Sequence, residues 1–383
     1  MQATPASNPI LCVVGARPNF MKIAPVIKAL RSGSSLPVKL LHTGQHYDPE
    51  MNRLLFQALA LPDPDINLEV GSGSHAVQTA EIMRRFEPVL DAQRAAAVLV
   101  VGDVNSTLAC ALVAAKKGVP VVHVEAGLRS YDRAMPEEVN RVLTDQISDL
   151  LFTTERSARD NLLREGIAEP RIHFVGNVMI DTLRENLKQA VPPEQTLAQH
   201  GAAASWALRE YAVLTLHRPS NVDDPSTLRA LLGALRQVSR RIPVIFAMHP
   251  RTRENIGKHG LGPLLDGEAY AVLPPLGYLE MLGLMQSAKL VLTDSGGIQE
   301  ETTALGVPCV TLRENTERPI TVEEGTNTVA GQDPAHILAA ADEILATGGK
   351  AGRIPELWDG RASQRIAAVL RDWLGHAAER RVA

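Results

Sequence analysis

The chain has 383 residues, 45% apolar and 21% charged, with 39 basic against 43 acidic side chains for a net charge of −4. That length allows two or three domains, and the mild acidity gives no reason to expect a nucleic-acid binder. At 4%, aromatic side chains are too sparse for a base-stacking platform or a broad sugar-stacking surface. Cys12, Cys110 and Cys309 stand far apart with no CxxC spacing, which excludes a zinc ribbon or a disulfide scaffold and fits a reducing compartment. The opening MQATPASNPI has no basic n-region, and no apolar run nears the ~18 residues of a membrane span. The expectation is a soluble, cytoplasmic protein with no membrane partner.

In chain order, Ile10–Val14, Val38–His42, Val98–Val101 and Val119–Val124 are continuous apolar runs bounded by Gly, Pro or Asp. Such runs read as parallel strands buried on both faces. Met21–Leu30, Gln78–Leu90 and Thr107–Lys117 between them carry helical periodicity, so the pattern is βαβ. Asp181–Ala190 reads as a further helix, and the Pro- and Ala-rich VPPEQTLAQHGAAAS after it reads as a linker. A second series follows, with strands at Ala212–Leu216, Pro243–Met248, Leu290–Thr293 and Cys309–Leu312 and helices at Pro225–Val238 and Gln299–Leu305. The predicted fold is α/β, with two Rossmann-like, doubly wound, mainly parallel sheets. The expected boundaries are 9–190 and 205–358, with a C-terminal helix over 359–378 packing back on the first domain. Ligands of such sheets bind beyond the carboxyl ends of the strands.

Chemistry-bearing residues stand at those ends. GARPNFMK places Arg17 and Lys22 at a glycine turn and a helix start, where amides and cations suit an anion such as phosphate. A strand–helix turn with surface cations is the plainer reading. VLVVGDVNST ends in Asp103, which either belongs to a site or caps the helix near Asn105. VPVVHVEAGLRS carries Glu125, a carboxylate that needs a function or an ion pair, for instance with Arg129 or Arg133. MPEEVNR supplies Glu137, Glu138 and Arg141, with Glu137 and Arg141 at i, i+4 spacing. VLTLHRPSN and VIFAMHPRTR bring His217, Arg218 and His249, at spacings that imply no metal. In VLTDSGGIQEE, Ser295, Gly296 and Gly297 join a strand to a helix whose N-terminus suits a diphosphate, and Glu301 lies one turn in, within reach of ribose hydroxyls.

Together the strings GARPNFMKIAP, TGQH, GDVNSTLA, HVEAGLRS, MPEEVNR, NLLREGI, HFVGNVMIDTL, DSGGIQEE and TERPI resemble, in order, those of the non-hydrolysing UDP-N-acetylglucosamine 2-epimerases. The resemblance runs from about Ile10 to Gly331. It implies a two-domain glycosyltransferase-B (GT-B) arrangement with the site in the interdomain cleft, and a homodimer. The activity it implies is reversible epimerisation of UDP-GlcNAc to UDP-ManNAc for a surface-glycan pathway. The route is elimination of UDP to a 2-acetamidoglucal and re-addition, with no cofactor, no NAD and no metal.

By the same resemblance Asp103, Glu125 and Glu137 are the acid–base carboxylates, joined in the active site by Arg141, His217 and Lys22. Arg17, Lys22, His217, Ser295, Gly296, Gly297 and Glu301 form the UDP set. Gln45, His46, Arg218 and His249 match residues of a regulatory site for a second UDP-GlcNAc. The sequence departs from the family at Asn19, where members often carry Glu, at His217-Arg218-Pro219-Ser220 in place of HRRE, and at YDPEMN after TGQH. Three other enzymes share parts of this pattern: an epimerase of UDP-2,3-diacetamido uronic acids, a hydrolysing epimerase that releases ManNAc and UDP, and a GT-B glycosyltransferase. A non-catalytic nucleotide-sugar sensor is the binding-protein alternative.

Overall fold

Strands that are apolar on both faces pair in parallel and take helices on each side, and the chain follows that rule throughout. The computed structural model describes residues 8–33, 37–45, 59, 61–202, 206, 209–267 and 269–382. It divides into two units, residues 1–182 with 356–383, and residues 183–355.

In the first unit β1 (Ile10–Val14), β2 (Val38–His42), β3 (Ile66–Asn67), β4 (Ala97–Val101), β5 (Val121–Ala126), β6 (Leu150–Thr153) and β7 (Ile172–Phe174) form one sheet in the order 3-2-1-4-5-6-7. Every neighbouring pair is parallel. Leu11, Val13, Val98 and Val100 on one sheet face pack on Ile82, Phe86 and Leu90 of the helix His75–Gln93. A side chain of this kind stabilises by roughly 1.5–3 kcal/mol when fully buried.

The second unit repeats the plan. Strands β8 (Ala212–Thr215), β9 (Val244–Ala247), β10 (Tyr270–Leu273), β11 (Leu290–Thr293), β12 (Cys309–Thr311) and β13 (Asn327–Val329) run in the order 10-9-8-11-12-13, again all parallel. Its larger core joins Leu214, Phe246 and Leu292 to Leu232 and Leu235 of the helix Pro225–Ser239 and Ile344 of the helix Pro334–Thr347. Each sheet therefore has one point where the chain changes winding direction, between β1 and β4 in the first and between β8 and β11 in the second. Crevices at such points hold ligands.

The first unit is closed by the far end of the chain. Asp181 accepts the amides of Ala362 (3.0 Å) and Ser363 (2.7 Å), and so anchors the start of the helix Ala362–Val382. That helix lies along the helix Arg17–Gly33, and the buried Trp358 indole donates to the Thr154 carbonyl at 3.1 Å.

The stretch expected as a linker after Ala190 contains regular structure. Pro193–Gln199 is helical and its Leu197 is fully buried in the second unit. Val191 runs so close to the helix Tyr278–Gln286 that a Cβ on Gly283 would sit 1.8 Å from the Val191 carbonyl oxygen. Two turns with one buried leucine leave no readable period. Strands β3, β7 and β13, two or three residues each, escape a pattern search for the same reason.

Candidate functional site

At the first switch point the turn after β1 is held internally. Asn19 Oδ1 accepts the amides of Gly15 (3.2 Å) and Ala16 (3.0 Å), and its Nδ2 donates to the Val101 carbonyl at the end of β4. The amides that the sequence reading offered to an anion are thus taken up by the side chain of Asn19. Arg17 opens the helix, and its side chain lies outside the described residues, as does His46.

Lys22, one turn in, is buried and donates to Glu125 Oε1 at 2.6 Å. Lys22 is thus a partner of Glu125, while the Arg129 guanidinium is engaged by Asp145 (2.7 Å) and Glu165 (2.6 Å). Glu125 sits in a register break of β5 with φ +72°. A non-glycine residue there costs on the order of 1–2 kcal/mol, so the carboxylate is aimed at the expense of backbone strain. Gly102 beside it has φ +67°, and a Cβ there would lie 3.1 Å from Lys22 Nζ.

Asp103 follows directly. The helix Asn105–Lys116 is capped by Val104 without a side-chain bond, so Asp103 is not its cap. Asp103 faces Arg141 at 2.8 Å instead, and the same guanidinium reaches Glu138 at 2.5 Å. Arg141 therefore pairs at i, i+3 with Glu138, which is buried and also accepts the amides of Ser130 (3.0 Å) and Tyr131 (2.9 Å). Glu137 is half-buried on the first turn of this helix, Pro136–Ile147. Asn140 donates to the Asp103 carbonyl at 2.9 Å. Gln45 is buried, and its Oε1 accepts from the amide (3.1 Å) and hydroxyl (2.7 Å) of Ser106.

Beneath these groups lies a pair that sequence reasoning passed over. His123 Nδ1 meets Asp145 Oδ1 at 2.7 Å, and its Nε2 meets the Gly102 carbonyl at 2.9 Å. Both side chains are fully buried. Asp145 Oδ2 also accepts the Gly127 amide at 3.0 Å. Burial pushes the Asp145 carboxyl up, but His123 and Arg129 outweigh it and hold the group below the usual carboxylate range. The available signal was a histidine inside an apolar strand, which must find a partner.

At the second switch point, His217 lies just beyond β8 and Asp294 just beyond β11. Asp294, fully buried, accepts the amides of His217 (3.0 Å) and Arg218 (2.9 Å) and the Asn221 side chain (3.1 Å). It also meets His217 Nδ1 at 2.9 Å. Its burial is likewise outweighed by His217, which keeps it ionised below the usual range. The His217 side chain is 37% exposed, with its ring 5.8 Å from that of His249, itself the exposed cap of the helix Pro250–Lys258. Arg218 lies 3.8 Å from Glu317, which is bound by Arg313 at 2.8 Å.

Ser295 precedes the helix Gly296–Leu305, whose start carries no side-chain cap. A Cβ on Gly296 would fall 2.5 Å from Glu317 Oε1. Glu301, on the same helix, is buried. Desolvation raises its carboxyl to about 7, with Tyr278 pulling the other way and Glu300 adding to the rise.

Among the described residues no group of three or more His, Cys, Asp or Glu side chains is placed to hold a metal ion. No described helix is long and apolar enough to cross a membrane. The structure thus places the ion pairs Lys22–Glu125 and Asp103–Arg141 at the carboxyl ends of β4 and β5. It places His217 just beyond β8, and Ser295, Gly296 and Gly297 just beyond β11.

The sequence profile described as UDP-N-acetylglucosamine 2-epimerase matches residues 28–371. The UDP-N-acetylglucosamine 2-epimerase of Methanococcus maripaludis is 44% identical over 87% of this chain and 90% of its own length. The UDP-2,3-diacetamido-2,3-dideoxy-D-glucuronate 2-epimerase of Pseudomonas aeruginosa is 40% identical over 94% and 99%. Among solved structures, UDP-GlcNAc 2-epimerase of Methanocaldococcus jannaschii in complex with UDP-GlcNAc and UDP superposes with a TM-score of 0.87 at 40% identity, over 95% of this chain and 99% of that one. The Neisseria meningitidis enzyme bound to UDP-GlcNAc gives 0.86 at 29% identity, over 95% and 100%.

Proposed function

Because the chain belongs to the UDP-N-acetylglucosamine 2-epimerase family, we propose that it interconverts UDP-GlcNAc and UDP-ManNAc without hydrolysis, as a cytoplasmic homodimer. The observation that carries the reading is the pair of carboxylates at the first switch point, Glu125 against Lys22 and Asp103 against Arg141. The hydrogen on carbon-2 is a weak acid. A placed carboxylate removes it while the bond from carbon-1 to the β-phosphate oxygen breaks. The C–H electron pair becomes the C1=C2 double bond, and UDP leaves with the other pair. A proton returned to the opposite face of carbon-2, with attack of the phosphate oxygen on carbon-1, gives the epimer. A positioned acid or base supplies ~10²–10⁴-fold of the rate.

The departing diphosphate needs fixed positive charge and N–H dipoles. His217, oriented by Asp294, and the uncapped amides at Gly296 and Gly297 are the candidates in the second unit, with Arg17 and Lys22 in the first. Glu301 is assigned to the ribose hydroxyls, and Glu137 to the acid–base set. A second reading, epimerisation of a UDP-2,3-diacetamido uronate, is favoured by the 40% identity to the Pseudomonas enzyme. In the homodimer reading, the exposed Val77, Val139 and Leu143 on the helices His75–Gln93 and Pro136–Ile147 are candidates for the contact.

The test is NMR of the protein with UDP-GlcNAc in deuterated water. UDP-ManNAc carrying deuterium at carbon-2 is the expected product. Free ManNAc with UDP would move the chain to the hydrolysing class, and exchange with a diacetamido uronate alone would select the second reading.

A further inference from the structure

His123 is absent from the chemistry above, yet it joins the two segments that carry the candidate carboxylates. Its Nε2 lies 2.9 Å from the carbonyl of Gly102, the residue before Asp103. A carbonyl oxygen can only accept. Its Nδ1 lies 2.7 Å from Asp145 Oδ1. That carboxylate already accepts the Gly127 amide and faces the Arg129 guanidinium, so it too is an acceptor, kept ionised by its surroundings. Two acceptors require two N–H groups. The charged groups around the ring are Asp145, Arg129 on that carboxylate, and Glu165 on Arg129. Lys22 and Glu125 lie just beyond Gly102.

We propose that His123 is a doubly protonated, buried positioning residue that fixes the Gly102–Asp103 turn to the Glu125 register break. The ring holds the Gly102 carbonyl while the Gly102 amide donates to Val124 at 3.0 Å, so both ends of this φ +67° residue are bound to β5. Through Asp145 the same ring is tied to the Gly127 amide, two residues past Glu125. The two carboxylates thus take their separation from a single charged bracket. A shift of about 1 Å in such a constellation costs about 10²-fold in rate. The positioning role rests on the epimerase reading, whereas the protonation state does not.

The experiment uses full-length protein labelled with ¹⁵N in the histidine rings, the His123 signals being those lost in His123→Gln. Two protonated nitrogens, each coupled to its own hydrogen at neutral pH without substrate, are expected, and a neutral ring with one bare nitrogen overturns the proposal. In folded His123→Gln, kcat should fall about 10²-fold while KM and UDP affinity stay within about twofold. Unchanged kcat per folded molecule would reduce His123 to a stability element and overturn the positioning role. If His123→Gln does not fold, Asp145→Asn labelled in the same way takes its place. Loss of one ring proton together with kcat supports the proposal, and loss of neither refutes it. Wild-type protein that shows two ring protons but no carbon-2 exchange with any nucleotide sugar would sink the epimerase reading, and the positioning role with it.

Discussion

Each unit holds one histidine–aspartate pair at its switch point, and the two differ in what the second ring nitrogen meets. His123 is fully buried and its far nitrogen is on the Gly102 carbonyl. His217 has the same aspartate contact through Nδ1, yet its side chain is 37% exposed beside His249. Both nitrogens of the first ring are engaged by the protein, whereas among the described residues the second ring has only its Nδ1 contact to Asp294. A histidine–aspartate pair is therefore not in itself a catalytic sign; the fate of the remaining nitrogen decides.

The comparison breaks most sharply against groups that would touch the sugar. Glu125→Gln should lower kcat by ~10²–10⁴-fold, read by deuterium incorporation at carbon-2. A smaller loss would move proton transfer to Asp103 or Glu137.

Next come the two histidines themselves. His123→Ala leaves the buried Gly102 carbonyl without its side-chain donor and takes one partner from Asp145, which keeps Arg129 and the Gly127 amide. An orphaned buried carbonyl and a weakened ion pair cost on the order of 2–3 kcal/mol and lower Tm by ~5–10 °C. His217→Ala takes the cation from the buried Asp294, which keeps three N–H donors, so Tm should fall by less than in His123→Ala, while UDP binding should weaken by about tenfold or more, the worth of a charge-assisted hydrogen bond. Calorimetric melting and UDP titration of the two variants test the contrast, and equal melting losses would erase it.

Glu301 sharpens the second unit further. Its folded value of about 7 lies above the ordinary 4.5. The folded state therefore holds the extra proton between those values, and stability falls as pH rises from about 4.5 to about 7. The span is worth on the order of 3 kcal/mol. Glu301→Gln should flatten that slope in denaturant titrations, and an unchanged slope would remove the burial argument. The smallest effect belongs to the exposed pair Arg156–Glu356, 2.7 Å apart. Glu356→Gln should leave Tm where it is, since exposed pairs contribute little.

The long buried strands were legible because β-branched runs between glycines have one interpretation. Ile10–Val14, Val38–His42 and Leu290–Thr293 stand where the pattern put them. Tyr270–Leu273 was missed although Gly267 precedes it and Pro274 and Pro275 follow it, because, only four residues long and with Val272 38% exposed, it offers no continuous buried run. Of the sites, the residue types were readable one by one but their partners were not. Lys22 and Glu125 meet across 103 positions, and a carboxylate at a strand end looks the same whether it caps, pairs or reacts. Asp294, two residues before the paired glycines, was passed over in the sequence, and only its four donors show what it does.

Asp181 binds amides that lie 181 and 182 positions farther along. The first unit is thus discontinuous, and residues 183–355 are inserted between its two parts. On a ribosome the chain emits seven strands of the first sheet, then the entire second unit, and only afterwards the helix that covers the Arg17–Gly33 face. The second unit can finish its sheet while the first still lacks its last layer. A nascent chain halted near Pro355 would expose Asp181 and the pocket of Trp358, which makes the final thirty or so residues the step that seals the unit carrying the carboxylates.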